Sequence, residues 1–338
     1  MKRIYIILIV ICLLIGAVIG LGYLSINQRV TVSDTTRIYI PDHADYQTLV
    51  DTLDTHHCLP SHTLFNTLAR LRGLPNHVKA GSYLVKPNMR TLSLVLKLYS
   101  GNQDPVRITI NKHRTLGQLC QFLGSKLQLD ADSLLSLLTD TAFCAQYGLT
   151  PQTIIGMFSQ NTYEFYWTIK PTNLVGRMNT EYERFWKERD SRLSDLGLTR
   201  VQVLTLASIV EEETNCNEEK PDIASVYLNR YRIGRALQAD PTVKYAVGDF
   251  SIRRIKGTML KTDSPYNTYM YRGLPPGPIC IPGTASIDAV LLNKHTDYLY
   301  FCARADFSGY HAFASSLAAH NANANAFHAE LNRRKIYK

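Results

Sequence analysis

The segment from Val201 to Glu213 constrains the fold more than any other part of this chain. Its apolar residues fall on every side of a helix: Val201, Val203, Leu204, Leu206, Ala207, Ile209 and Val210. Thr199 and Gln202 have the spacing of a capping box, which predicts where this helix begins. Because a helix without a polar face must be enclosed by other elements, we expect a sizeable globular domain around it.

Three carboxylates follow this apolar helix directly, at Glu211, Glu212 and Glu213. The C-terminal end of a helix is the negative end of its dipole, so stability alone would not place anions there. Desolvation and repulsion between like charges should raise the pKa of a carboxyl in this position, which suits a general acid. The alternative is an ordinary solvated helix end, and periodicity does not select one of the three.

The N-terminal region contains an uncharged run of 23 residues, from position 4 to position 26. About 20 such residues cross the hydrocarbon core of a bilayer, so residues 4–26 are predicted to form a single transmembrane anchor. Lys2 and Arg3 favour a short cytoplasmic tail over residues 1–3. We therefore expect a single-pass protein of the inner (cytoplasmic) membrane whose remaining chain faces the periplasm or exterior. A cleaved signal peptide is the alternative, although the run exceeds the usual apolar region of such peptides.

The formal net charge of +9 suits an anionic membrane surface or cell wall. No basic cluster interleaved with aromatic residues is present, so nucleic acid is not an expected partner. Seven cysteines are scattered without a C-x-x-C pair, which leaves disulfides and buried thiols both open. The spacing of His56, His57, Cys58 and His62 matches no common zinc pattern, so neither a metal nor another cofactor is expected.

The first third of the chain repeats one pattern, a short β-like run followed by an amphipathic helix. The copies are residues 37–41 with 46–53, 81–85 with 91–99, and 106–110 with 116–127. This predicts a small α+β module over residues 37–129. Residues 130–338 then form a larger mixed α/β domain, and the fold class as a whole is α+β.

Five ordered motifs resemble the YceG-like (MltG) endolytic murein transglycosylases. They are Ala207-Ser-Ile-Val-Glu-Glu-Glu-Thr214, Ala224-Ser-Val-Tyr-Leu-Asn-Arg230, Leu237-Gln-Ala-Asp-Pro-Thr-Val243, Tyr266-Asn-Thr-Tyr269 and Gly273-Leu-Pro-Pro-Gly-Pro-Ile279. The resemblance implies that residues 37–129 are a LysM-like module that binds peptidoglycan. It also implies that residues 130–338 are a YceG-like catalytic domain. The chain departs from the family at Ile155-Gly156 and at Gln160-Asn161-Thr162-Tyr163, where the family usually has Glu-Gly and Pro-Asp-Thr-Tyr.

The activity implied by the resemblance is cleavage of the bond between N-acetylmuramic acid and N-acetylglucosamine in nascent glycan strands. It leaves 1,6-anhydro ends, acts in cell-wall assembly and could terminate strand elongation. The family motif has its essential glutamate directly after the Ile-Val pair, which implies Glu211 as the acid/base carboxylate. The partners expected are glycan strands and peptidoglycan synthases.

Two other functions remain open. Ordinary glycosidases use two carboxylates about 5 to 9.5 Å apart, and Asp240 as the second would make a muramidase-type hydrolase. A non-catalytic, membrane-anchored scaffold that binds peptidoglycan is the third interpretation.

Six residues of the motifs are predicted to contact the sugar or its peptide: Asn229, Gln238, Asp240, Tyr266, Asn267 and Tyr269. Each could instead be a buried structural hydrogen-bonding group. Asp240 could also cap a helix or stabilise a turn. His311 and His320 either border the cleft or cap secondary structure.

Overall fold

The computed structural model describes residues 11–13, 15–16, 27–252 and 254–336. Most of the predicted anchor, residues 4–26, lies outside this described part. Residues 11–13 and 15–16, which belong to it, are helical. None of the helices within the described ranges has both the length and the apolar character needed to cross a membrane.

Helices and short strands are mixed along the chain, which confirms the predicted α+β class. The elements before residue 150 are β1 (Thr36–Ile40), α1 (Tyr46–Thr55), α2 (His62–Leu71), β2 (Gly81–Val85), α3 (Thr91–Ser100), β3 (Val106–Ile110), α4 (Leu116–Lys126), α5 (Ala131–Thr139) and α6 (Thr141–Ala145). Those that follow are β4 (Asn161–Phe165), α7 (Pro171–Lys187), α8 (Ser191–Leu196), α9 (Arg200–Glu213), α10 (Lys220–Arg232), α11 (Asp240–Val247), α12 (Thr284–Leu291), β5 (Tyr300–Ala303), β6 (His311–Ala314) and α13 (Leu317–Arg333). Short 3-10 turns occur at Leu74–Asn76, Ile154–Met157 and Met259–Lys261.

The chain divides into two compact units. The first comprises residues 1–108, 125–129 and 164–170, and the second comprises residues 109–124, 130–163 and 171–338. The strands pair as β1 with β2, β3 with β4 and β5 with β6. The assignment of residues 37–129 as a LysM-like module stays a prediction.

The first unit is built on the antiparallel pair β1 and β2, in which Ile38 lies opposite Tyr83. Ile38 and Ile40 alternate with more exposed neighbours, so one face of the strands is buried in the core. The strand–helix copies predicted around residues 37–53 and 81–99 are confirmed. Helix α2 was not predicted, although Ser61 caps it by accepting a hydrogen bond from the Leu64 amide.

The aromatic residues around position 160 divide between core and surface. Phe158, Tyr163 and Phe165 are buried. Tyr166 is 56% exposed, and in the first unit the ring of Trp167 packs on Tyr39 with centroids 4.9 Å apart. Aromatic faces of this kind suit stacking on sugar rings, whereas the buried three serve packing.

Helix α9 lies at the centre of the second unit. Every residue from position 203 to position 210 is buried, and the helix packs against α10, α11, α12 and the turn Ile154–Met157. The predicted capping box is present, with the Thr199 hydroxyl accepting from the Gln202 amide and the Gln202 side chain accepting from the Thr199 amide. The expectation of an enclosed helix is therefore confirmed.

Glycines allow two close approaches near this helix. A Cβ on Gly156 would lie 3.0 Å from Leu204 Cδ1, and a Cβ on Gly277 would lie 2.2 Å from the carbonyl oxygen of Gln152. Only glycine fits the second position without a backbone shift. This explains one glycine of the Gly-Leu-Pro-Pro-Gly-Pro-Ile motif.

All seven cysteines lie among the described residues, and each is a free thiol. Cys58, Cys120, Cys144 and Cys280 are buried, so at these four positions the sequence alternative of buried thiols describes the structure.

Candidate active site

The three glutamates at the end of α9 extend into three different environments. Helix α9 ends at Glu213, and the next residue, Thr214, is extended with φ −145° and ψ 144°. Successive residues of a helix point about 100° apart, so adjacent side chains meet different neighbours. Two of the three carboxylates pair with cations, and the third lines a cavity.

Glu211 is the carboxylate paired within the core of the unit. Its Oε2 lies 3.0 Å from Lys220 Nζ, and the side chains are only 14% and 7% exposed, respectively. The Ser286 hydroxyl donates to the same oxygen, and Gln160 Nε2 donates to Oε1 at 3.3 Å. These partners hold Glu211 between α9, α10 and α12.

The expected rise in the pKa of Glu211 is wrong. Burial acts to raise this pKa, but the hydrogen bonds from Ser286 and Lys220, with the charge of Lys220, outweigh it, and the pKa of Glu211 is lowered. The sequence showed the crowding by Glu212 and Glu213 but not the partners from distant segments. Glu211 therefore stays a carboxylate at neutral pH, whereas a proton donor must be protonated there.

Glu212 is paired with two cations of the segment before α4. Its carboxylate accepts from Arg114 Nε at 3.1 Å and from Arg114 Nη2 at 2.8 Å, in the two-pronged geometry that favours guanidinium–carboxylate pairs. Lys112 Nζ lies 3.3 Å from the same carboxylate. Since its oxygens are occupied by these cations, Glu212 serves as an anchor for residues 112–114.

Glu213 differs from both, because no lysine or arginine in the described ranges forms an ion pair with it. The Tyr227 hydroxyl donates to its Oε1. Burial raises the pKa of Glu213 to about 7, and the nearby charge of Asp240 adds to the rise, while the Tyr227 hydrogen bond and the charge of Lys244 oppose it. A carboxyl that exchanges its proton near neutral pH is what general acid–base chemistry requires.

Glu213 lines a cavity of about 480 Å³, within the size range of small-molecule sites. The cavity is bordered by α10, the start of α11, β5 and the first turns of α13. Its other polar and aromatic lining residues are Tyr227, Arg230, Arg235, Gln238, Asp240, Tyr269, Tyr300, Phe301, His320 and Asn321. The Glu213 side chain therefore faces a polar space large enough for a sugar.

Three of the six predicted contact residues lie at this cavity, namely Gln238, Asp240 and Tyr269. The Tyr269 hydroxyl donates to Asp240 Oδ1 at 2.6 Å. Asp240 is the first residue of α11 and its side chain makes no capping hydrogen bond, so the expected capping role is wrong. Gln238 has φ +54°, in the left-handed region that non-glycine residues uncommonly adopt.

The other three predicted contacts are engaged inside the protein. Asn229 donates to the carbonyls of Thr296 and Tyr298, at 2.9 and 3.0 Å. Asn267 is fully buried and donates to the carbonyls at positions 260 and 262. Tyr266 packs on Tyr245 with ring centroids 4.6 Å apart. We do not retain these three as substrate contacts, because none lines the cavity and each has a structural partner.

The motifs are joined to one another by buried hydrogen bonds. The hydroxyls of Thr242 and Thr268 lie 2.8 Å apart, and Thr268 also accepts from the Ala239 amide at 3.0 Å. The Ile279 amide donates to Ser208 Oγ on α9 at 3.0 Å. The motif residues therefore hold the segments around the cavity in register with α9.

The sequence left two roles open for His311 and His320, which could border the cleft or cap secondary structure. The residue before α10 is Glu219, whose side chain accepts from the backbone amide of His311 and pairs with the His311 ring instead of capping the helix. His320, in contrast, lines the cavity. No cluster of histidine, cysteine or acidic side chains suited to a metal occurs within the described residues.

The sequence matches the YceG-like family from residue 38 to residue 326. The chain belongs to the YceG-like family. This YceG-like chain is 29% identical over 305 residues to a Bacillus subtilis (strain 168) protein named endolytic murein transglycosylase. The match covers 85% of the chain and 83% of that relative.

Two further comparisons agree with this membership. A Streptococcus pneumoniae (serotype 2, strain D39 / NCTC 7466) protein of the same name is 27% identical over 294 residues, which is 78% of this chain and 53% of the relative. The chain thus spans about half the length of the pneumococcal protein. A 2.6 Å crystal structure of a YceG-like protein from Listeria monocytogenes superposes with a TM-score of 0.59 at 27% identity, covering 86% of this chain and 99% of that one.

Proposed function

We propose that this YceG-like protein is an endolytic murein transglycosylase that cleaves the bond between N-acetylmuramic acid and N-acetylglucosamine in peptidoglycan strands. Relatives that bear this name and cover most of the chain support the reaction class. The observation that carries the proposal is the Glu213 carboxyl, which lines a polar cavity with a pKa of about 7. We propose Glu213 as the acid/base group in place of Glu211, whose carboxylate is already paired with Lys220.

The reaction needs one carboxyl that serves twice. Protonated Glu213 donates its proton to the glycosidic oxygen as the bond from the muramic acid C1 breaks and an oxocarbenium-like centre develops. The C6 hydroxyl oxygen of the same sugar then bonds to C1, and the Glu213 carboxylate takes the hydroxyl proton. The products are a 1,6-anhydro end and a free hydroxyl, and Glu213 is again protonated without consumption of water.

The surroundings of Glu213 suit both halves of this cycle. The Tyr227 hydroxyl stabilises the carboxylate that remains after the first proton transfer, whereas burial stabilises the protonated form. These opposing effects leave the two states of Glu213 close in free energy at neutral pH.

A muramidase-type hydrolase is the second candidate, because Asp240 lines the same cavity as Glu213. In that reaction the second carboxylate would activate water or attack the sugar directly. Asp240 accepts a hydrogen bond from Tyr269, which orients its carboxylate within the cavity wall.

Product mass separates these functions. Purified sacculi or uncross-linked strands treated with the protein are expected to yield fragments whose muramic acid ends lack one water relative to hydrolysis products. Mass spectrometry after borohydride reduction gives a second criterion, because anhydro ends have no reducing group. Fragments with one added water would establish the hydrolase, and an absence of any cleavage would favour the non-catalytic scaffold.

Activity should depend on pH through the ionisation of Glu213. Because the protonated form starts the reaction and its pKa is about 7, the cleavage rate is expected to fall above pH 7, by up to tenfold per pH unit. Initial rates on soluble strands between pH 5 and 9 measure this. A rate that is constant from pH 6 to 9 would contradict the assignment.

The same group should leave a signature in stability. The pKa of Glu213 is raised in the folded chain from its ordinary 4.5, so its stabilising contribution is present below about pH 4.5 and is lost as pH rises through about 7. Relative to Glu213→Gln, the unfolding free energy of the unaltered chain is expected to decline across this window, by at most about 1.4 kcal/mol per pH unit.

We further propose a single-pass membrane anchor over residues 4–26, with the catalytic unit outside the cytoplasm and near peptidoglycan synthases. The uncharged run of 23 residues supports it. A peptidoglycan-binding role for residues 37–129 is proposed with it. The exposed ring of Tyr39 and the half-buried ring of Trp167 in the first unit are suited to contact with sugars.

A further inference from the structure

The cavity that Glu213 lines also carries a group of cationic side chains around one aromatic ring. The guanidinium carbons of Arg230 and Arg235 lie 5.3 and 4.8 Å from the centroid of the Tyr300 ring. The His320 ring stacks on the same tyrosine, with centroids 5.2 Å apart and planes 22° apart. We call these four residues the Tyr300 cluster, and all of them line the cavity.

Arg230 is the structural member of the Tyr300 cluster. It is 7% exposed and donates to the carbonyls of Leu299 at 2.7 Å, Ala236 at 3.1 Å and Leu237 at 2.8 Å. None of these acceptors is charged, so the positive charge of Arg230 is not neutralised by them. The contacts instead fix the backbone that carries its neighbour Arg235.

Arg235 differs from Arg230 because its guanidinium has no hydrogen-bonding partner among the described residues. Its side chain is half-buried and forms neither an ion pair nor a side-chain hydrogen bond with any described residue, its only polar contact being from its backbone amide to Arg230. Burial and the nearby charge of Arg235 lower the pKa of Arg230, so the two guanidiniums repel each other. Two like charges beside one cavity are unfavourable unless an anion occupies the space between or beside them.

The histidine of the Tyr300 cluster also lacks a hydrogen-bond partner for one ring nitrogen. The Nδ1 atom of His320 is buried and has no hydrogen-bond partner among the described residues. Buried polar atoms without a partner are rare in folded proteins and call for an explanation such as a missing ligand. The acidic residues of the same cavity, Glu213 and Asp240, form no ion pair with either arginine.

We propose that the Tyr300 cluster, with Arg235 as the direct contact, binds a carboxylate on the lactyl side arm of the substrate's muramic acid. This inference rests on the proposed function, and it identifies the part of the substrate that the site recognises. Guanidinium groups bind carboxylates through two parallel hydrogen bonds, which orient the ligand as well as hold it. The side arm carries such groups on its peptide, or on the lactyl unit itself where the peptide has been removed.

Binding is measured apart from cleavage by using the full chain with Glu213→Gln. Soluble uncross-linked strands are titrated by calorimetry against this protein, against Glu213→Gln/Arg235→Gln and against Glu213→Gln/Arg232→Gln. Arg232 is the matched control, because it is the last residue of α10, three positions before Arg235, and is exposed and donates to Asn293 outside the cavity. Each titration is repeated with strands whose carboxylates have been converted to methylamides.

We expect Arg235→Gln to weaken binding of intact strands about tenfold or more, and Arg232→Gln to leave it unchanged. Methylamide strands should bind all three proteins equally, at the affinity that the Arg235→Gln protein shows for intact strands. Equal affinity of the two arginine variants for intact strands would overturn the proposal. So would an equal loss on amidation in the presence and absence of Arg235.

Strands stripped of peptides by an amidase distinguish the two sources of the carboxylate. If binding of these strands still depends on Arg235, the lactyl carboxylate is the ligand, and if the dependence disappears, the peptide supplies it. Arg235→Lys keeps the charge without the planar fork and is expected to recover part of the affinity. It also provides a second variant should the glutamine protein fold poorly.

The outcome is separable from that of the proposed function. Product analysis with the unaltered chain tests cleavage, whereas these titrations test recognition by a protein that lacks the acid. Arg235-dependent binding without anhydro products would leave the carboxylate site in place and refute the transglycosylase. Anhydro products without Arg235-dependent binding would support the transglycosylase and refute the carboxylate site.

Discussion

Replacement of Glu213 by glutamine is expected to lower the rate of strand cleavage about 10³-fold while the protein stays folded. Glutamine preserves the size of the side chain and can still accept from Tyr227, but it carries no proton to give to the glycosidic oxygen. The measurement is the initial rate of release of anhydro-ended fragments from purified strands, with the thermal midpoint of each protein as the check on folding.

The matched control for this prediction is Glu218→Gln, in which an exposed glutamate bonded to Tyr310 is changed in the same way. That protein should cleave at the unaltered rate. If Glu213→Gln cleaved normally and Glu211→Gln did not, the acid/base role would return to Glu211, as the family resemblance first implied.

Replacement of Glu211 by glutamine is expected to act mainly on stability, lowering the unfolding free energy of the second unit by about 3 kcal/mol at pH 7. The change leaves the Lys220 ammonium, only 7% exposed, without its counter-charge. Removal of one partner from a buried ion pair costs more than removal of both. The double variant Glu211→Gln/Lys220→Met should therefore be more stable than Glu211→Gln alone.

The two tryptophans of the chain provide a clean readout of this loss. Trp186 is fully buried in the second unit and Trp167 belongs to the first, so fluorescence in a Trp167→Phe background reports the second unit alone. Urea unfolding is followed at pH 7, with Glu218→Gln again as the control. An unfolding midpoint unchanged by Glu211→Gln would mean that the Lys220 contact contributes little, and the structural role of Glu211 would be refuted.

Together the two variants distinguish the catalytic role of Glu213 from the structural role of Glu211. Glu213→Gln should remove activity and spare stability, whereas Glu211→Gln should lower stability and reduce activity less. The reason lies in their partners, because Glu211 is held by a cation, a hydroxyl and an amide, while Glu213 has a tyrosine hydroxyl and the cavity.

Parts of the candidate site followed from local sequence alone. The capping box at Thr199 and Gln202 predicted where α9 begins, and the apolar residues after it predicted burial on every side. The motifs also supplied Gln238, Asp240 and Tyr269, the three predicted contact residues that line the cavity. The predictions of the start and burial of α9 succeeded because capping and burial depend on near neighbours and on the apolar area of the segment itself.

Other parts needed contacts between distant segments. Asn229 and Asn267 have the composition of ligand-binding residues, yet the carbonyls that they satisfy come from loops about 5 to 70 positions away. Arg235 and His320 converge on Tyr300 only because β5 and α13 lie beside α10. No spacing rule connects residues that are so far apart in the chain.

The sequence by itself determined that a buried helix would end in three carboxylates, and that the surrounding motifs resemble those of one enzyme family. Only the tertiary structure decided which carboxylate meets which partner. A helix that is apolar on all sides has no periodicity to set its rotation, so the direction of each glutamate is fixed by what packs around it. Lys220 binds the first, Arg114 and Lys112 bind the second, and the cavity is left to Glu213.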